Sequence, residues 1–167
     1  MADLQSFRND VQSLVRKFEQ DKNHYLQKGY PEAQVRIDFL NPFFEALGWD
    51  IENKAHKPPH ERDVIVELSP ETSLRPDYNF RINGSTRFFV EAKAPSVPLD
   101  DVNHIMQAKT YAWSTKEVFF VILTDFEQFK LFDASLKPNP KYPQEGLLYD
   151  FKYTDFLANI EKLWELS

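Results

Sequence analysis

Leu4, Phe7, Val11, Leu14, Val15, Phe18 and Leu26 recur at three- and four-residue intervals, the period of one buried helix face. The spacing predicts an amphipathic helix over residues 3–28, closed near Gly29. Pro31 suits a helix start, and Val35, Phe39, Leu40, Phe43, Phe44 and Leu47 carry a second stripe as far as Gly48. Residues 49–53 read as the start of a first strand, the His- and Pro-bearing stretch 55–61 as a loop, and 64–68 as a short strand broken at Pro70 and Pro76. Two alternating runs, 78–82 and 86–94, flank Asn83-Gly84, a strong hairpin signal. A helix over about 99–114 follows, with Val102, Ile105, Met106 and Ala112 inward. The continuous apolar run 118–124 marks a central buried strand, with 129–132 pairing to it across a short turn. Residues 138–143 form a Pro-rich loop, and 153–166 a last amphipathic helix. The fold class expected is α/β, a mixed central sheet flanked by helices in one domain.

Composition narrows the chemistry. The 167 residues can bury about two-thirds of their unfolded surface, and 42% hydrophobic with 28% charged residues argues against disorder. No cysteine is present, which excludes disulfides, thiolate zinc sites, iron–sulfur clusters and a cysteine nucleophile. The glycines Gly29, Gly48, Gly84 and Gly146 are too scattered for GxGxxG, a phosphate-cradling P-loop or a GxSxG elbow. No apolar stretch nears the ~20 residues of a membrane helix and no apolar signal core opens the chain, so a cytoplasmic protein with no membrane partner is expected. The net charge is −6, without a basic run, so the chain lacks the electrostatic footprint of a strong nucleic-acid binder.

The hairpin allows a geometric argument. A two-residue loop at Asn83-Gly84 would oppose Phe80 to Arg87 and scatter the apolar residues over both faces. A three-residue loop, or a bulge with the same effect, opposes Ile82 to Thr86, Phe80 to Phe88 and Tyr78 to Val90, gathering them on one face. The same register opposes Asp77 to Glu91 and puts Lys93 beside them on the non-core face. Two carboxylates so close repel unless a proton or cation intervenes. Oxygen ligands of this kind suit Mg²⁺ or Mn²⁺, and a neighbouring lysine can orient water or neutralise an anionic transition state. The plainer alternative is a surface salt-bridge cluster.

Pro76-Asp77, thirteen intervening residues and Glu91-Ala92-Lys93 form a pattern that resembles the PD-(D/E)xK nuclease signature. Its surroundings add to the resemblance: the helix opened by Glu32 and running to Asp50, Gln107 and Tyr111 in a QxxxY arrangement on the next helix, and the apolar run into Thr124-Asp125. Together, from Glu32 to Asp133, they resemble the N-terminal nuclease domain of type I restriction subunits and, more closely, of type IIG restriction–modification enzymes. The resemblance implies a restriction-endonuclease-like core and Mg²⁺-dependent hydrolysis of double-stranded DNA, with Mn²⁺ as a substitute and no covalent intermediate. It implies Asp77 and Glu91 as metal-binding acids, the Ala92 carbonyl as a further ligand and Lys93 as the catalytic lysine. Glu32 matches a helix acid near the metal; Gln107 and Tyr111 match residues that support the lysine or contact phosphate.

Such enzymes continue into methyltransferase and target-recognition domains. Nothing here resembles their S-adenosylmethionine site, and Asn139-Pro140-Lys141-Tyr142 departs from their NPP[YF] motif. The expectation is one excised or truncated nuclease domain over 1–167: an N-terminal helix in 1–30, a nuclease core in 31–134, then a loop and helix in 135–167. A transient dimer fits the need to cut two strands. The competing readings are a stand-alone repair or recombination nuclease and an inactive nuclease-fold scaffold. His56 and His60, separated by Pro58-Pro59, are loop residues rather than zinc ligands. Arg75, Arg81 and Arg87 are candidates for phosphate, with Arg81 opposed to Arg87.

Overall fold

A computed structural model describes residues 1–68 and 75–167. Among these residues six strands form one sheet in the order β1-β2-β3-β4-β5-β6: Val64–Val66, Tyr78–Ile82, Ser85–Ala92, Phe120–Thr124, Gln128–Asp133 and Leu147–Lys152. β3 and β4 are parallel, and every other neighbouring pair is antiparallel. The parallel pair needs a crossover, and helix α5 (Val102–Ser114) provides it. The fold is the expected mixed sheet flanked by helices, compatible with a restriction-endonuclease-like core.

Two apolar layers cover the sheet. On one face Tyr78, Phe80, Phe88, Val90, Ala92 and Ile122 meet α1 (Leu4–Gln20) and a composite helix. That helix runs from α3 (Glu32–Val35) through a π-helical turn, Arg36–Leu40, into α4 (Asn41–Ala46). On the other face Phe89, Val121, Leu123 and Phe132 pack on Ile105, Ala108 and Ala112 of α5. Strand alternation explains the split, since successive side chains of β3 point to opposite faces.

The hairpin reaches the expected register through the bulge. Asn83 (φ +51°) and Gly84 (φ +79°) form a two-residue loop, and a shift between Phe80 and Arg81 restores Phe80↔Phe88 and Tyr78↔Val90. Ile82 therefore opposes Ser85 rather than Thr86 and is exposed, and Arg81 opposes Thr86 rather than Arg87.

Several expectations fail for local reasons. Residues 49–53 are turn, not strand, because the Asp50 carboxylate accepts the Lys54 and Ala55 N–H groups at 2.8 and 2.9 Å. The first strand is β1, and the break expected at Pro70 lies outside the described residues. The helix expected over 3–28 stops at Gln20, with a short α2 (Lys22–Tyr25) after it. Val102, at the first position of α5, points outward. The sixth strand was not anticipated, and the segment after it is divided into 3₁₀ turns at Tyr153–Asp155 and Leu157–Asn159 and a short α6, Ile160–Trp164. Among the described residues no helix is long and apolar enough to cross a membrane.

Candidate active site

The ends of β2 and β3 and the start of α3 converge on one polar cluster. Asp77 sits one residue before β2 and is 1% exposed. Its Oδ2 accepts the Ala92 N–H at 2.7 Å, which locks the two strand ends together. Glu91 is 6% exposed, and the Lys93 ammonium lies 3.5 Å from its Oε1. Lys93 N–H donates to the Thr124 carbonyl at 3.0 Å, so pairing with β4 continues past Ala92 and fixes the side to which Lys93 turns. On this face α5 covers Phe89, two residues before Glu91 on the strand.

Glu32 joins the cluster from the first turn of α3, where the helix dipole favours an acid. Burial raises its pKa well above the usual carboxylate range, and the Asp77 charge raises it further against Lys93 and Arg36. A hydrogen bond between the two carboxyls adds to the rise of Glu32 and opposes that of Asp77. Glu91 is raised by burial, then by Asp77, with Lys93 opposing. Burial also raises Asp77, although the Ala92 N–H, Arg36 and Lys93 pull the other way. Three carboxyls so placed cannot all ionise cheaply without added positive charge.

Sequence reading missed Arg36. Its side chain is buried, with Nη1 3.4 Å from Asp77 Oδ1, Nη2 3.4 Å from the Asp77 carbonyl and the guanidinium 4.9 Å over the Tyr78 ring. Two signals were available: Arg36 follows Glu32 by one helical turn, and it interrupts an apolar stripe where a buried charge needs a partner.

Among the described residues no hydrogen bond joins the QxxxY pair to the carboxyls. Gln107 is exposed on α5. Tyr111 packs edge-on against Phe89 at 5.2 Å. It lines a groove of about 220 Å³ with Ile65, Glu67, Arg75, Pro76, Asn79 and Phe89, immediately beside Asp77. The Arg81 guanidinium is held by the Pro59 and His60 carbonyls.

The donor set is all oxygen, which suits a hard divalent ion. Among the described residues no three Asp, Glu or His side chains are arranged to hold a metal by themselves. An ion here would use two carboxylates and complete its shell with backbone carbonyl and water, the usual habit of Mg²⁺.

No family model matches the chain, and no solved structure matches it. Over 134 residues it is 37% identical to the type II restriction enzyme and methyltransferase RM.Eco57I of Escherichia coli. The chain is related to a restriction–modification enzyme. The match covers 77% of this chain but only 13% of RM.Eco57I, so the chain corresponds to a small part of that protein.

Proposed function

We propose that this chain is a metal-dependent DNA endonuclease domain of the PD-(D/E)xK type, serving a restriction–modification enzyme. The observation that carries the reading is the meeting of Glu32, Asp77, Glu91 and Lys93 in one largely buried cluster, drawn from the start of α3 and the facing ends of β2 and β3. The relationship to RM.Eco57I gives that cluster a chemical context.

Mg²⁺, or Mn²⁺ in its place, would be held by Asp77, Glu91 and the Ala92 carbonyl, and when bound it supplies positive charge that polarises the phosphodiester. The Lys93 ammonium, beside Glu91, orients the attacking water and offsets negative charge developing on the phosphate. Glu32, against Asp77, helps to hold that side chain in place. Tyr111 and the groove it lines offer a surface for DNA beside Asp77, and Gln107 stands one helical turn before it. With a net charge of −6, affinity and sequence recognition for DNA fit other domains of such an enzyme, methylation included. Cleavage of both strands by one site per chain fits a transient dimer, acting in the cytoplasm.

The test is calorimetric titration of Mn²⁺ into the protein and its Asp77→Ala variant, followed by plasmid nicking with Lys93→Ala. Saturable binding lost with Asp77, and nicking reduced about 10²–10⁴-fold without Lys93, are the expected results. Equal Mn²⁺ traces for the two proteins, with and without DNA, would sink the reading.

A further inference from the structure

Three carboxyl groups and two cationic side chains meet in the cluster. Among the described residues, Arg36 and Lys93 are the cations that act most strongly on Glu32, Asp77 and Glu91. Lys93 is directed to Glu91, and Arg36 is in contact with Asp77.

The two contacts on the Asp77 carboxylate differ in kind. The Ala92 N–H reaches Oδ2 at 2.7 Å, a short bond to the backbone. Arg36 reaches Oδ1 at 3.4 Å, well beyond the ~2.7–2.9 Å of a tight charged pair. Its second contact, to the Asp77 carbonyl, is also 3.4 Å. The guanidinium also has an anchorage that does not depend on the carboxylate, the face of Tyr78 at 4.9 Å. That ring is fixed in turn by its hydroxyl, which donates to Asn41 Oδ1 at 2.6 Å. Arg36 can thus release Oδ1 and stay where it is.

We propose that Arg36 is the resident counter-cation of this site: it neutralises Asp77 while no divalent ion is bound and yields Oδ1 when one arrives. The inference rests on the assignment of Asp77 as a metal-binding acid. It goes beyond that assignment by making Arg36 a positioning residue that competes with the metal and sets its affinity. A positive charge next to a cation site opposes the cation. A residue that merely shaped Asp77 for metal would act in the opposite direction.

The experiment titrates Mn²⁺ into the wild-type protein, Arg36→Gln, Arg36→Lys and Asp77→Asn, with thermal midpoints recorded with and without the ion. Arg36→Gln is expected to have a lower midpoint than wild type without Mn²⁺, to recover most of that loss when Mn²⁺ is added, and to bind Mn²⁺ about tenfold more tightly. Arg36→Lys, which keeps the charge, is expected to bind within about threefold of wild type. If Arg36→Gln is unfolded without the ion, refolding by Mn²⁺ followed by circular dichroism supports the proposal, and failure to refold overturns it. Equal or weaker binding by a folded Arg36→Gln overturns it too, while Mn²⁺ binding lost only in Asp77→Asn leaves the metal site itself standing. Absence of Mn²⁺ binding in every protein overturns both.

Discussion

Asp125, at the end of β4, is 3% exposed, and its Oδ1 accepts the Gln128 N–H at 2.8 Å. Burial pushes its pKa up to about 8, with the Glu127 charge adding to the rise and backbone N–H groups opposing it. The folded protein therefore binds a proton that the unfolded chain releases near pH 4, and stability falls as pH rises between about 4 and 8. Asparagine can accept the same Gln128 N–H without ever ionising. Asp125→Asn should thus melt like wild type near pH 4 and progressively higher than it toward pH 8. There the gain should reach roughly 1–2 kcal/mol, about 2–8 °C in thermal midpoint. A gap that stays constant from pH 4 to 8 would rule out this origin.

At the scale of elements, the composite helix and the hairpin each carry a local fault that serves the site. Pro42 has no N–H for the Asp38 carbonyl and its ring crowds that turn. The chain responds with the π-helical turn Arg36–Leu40, in which the Asn41 N–H donates to the Arg36 carbonyl. The freed Asp38 carbonyl accepts from the Lys17 ammonium at 3.2 Å. The extra residue in the turn lets Phe39, Leu40 and Phe43 remain in the core while Arg36 reaches Asp77. In the hairpin, a Cβ on Gly84 would stand 3.0 Å from the His60 carbonyl, in a backbone region (φ +79°) that favours glycine. Gly84→Ala should cost about 1–2 kcal/mol in urea unfolding. An unchanged unfolding midpoint would show that the turn takes another form.

Across the whole molecule, the helical layer and the far ends of the sheet meet around Phe18. Its fully buried ring lies 5.4 Å from Tyr25, 5.4 Å from Phe39, 5.6 Å from Phe126 and 4.8 Å from Tyr153. These partners belong to α2, the π-helical turn, the β4–β5 turn and the segment after β6, so one ring ties elements from both ends of the chain. Phe18→Ala should remove about 3–5 kcal/mol, read as a lower urea midpoint in fluorescence-monitored unfolding. A loss below ~1 kcal/mol would mean the site collapses around the missing ring. On the opposite face, the Lys109 ammonium donates to the Pro143 and Glu145 carbonyls at 3.1 and 2.7 Å and so binds the Pro-rich loop to α5.

Local periodicity was enough for part of the fold. Alternation in 78–92 was sufficient to pair Phe80 with Phe88, to require a bulge or an odd loop, and to bring Asp77 alongside Glu91 and Lys93, because a one-residue slip would expose the apolar face. The helix start at Glu32 and the buried strand Phe120–Thr124 were legible for the same reason. Tertiary structure decided the rest. β6 shows only half-buried Leu147, Tyr149 and Phe151 and acquires its identity from pairing with β5 at the sheet edge. Trp49 fits strand propensity, yet its indole N–H donates to the Leu166 carbonyl at 2.8 Å, a partner 117 residues away. Arg36 and Asp77 are 41 residues apart and meet only when the composite helix packs on Tyr78. Periodicity sets which face a side chain takes, but only packing sets which distant charge it meets there.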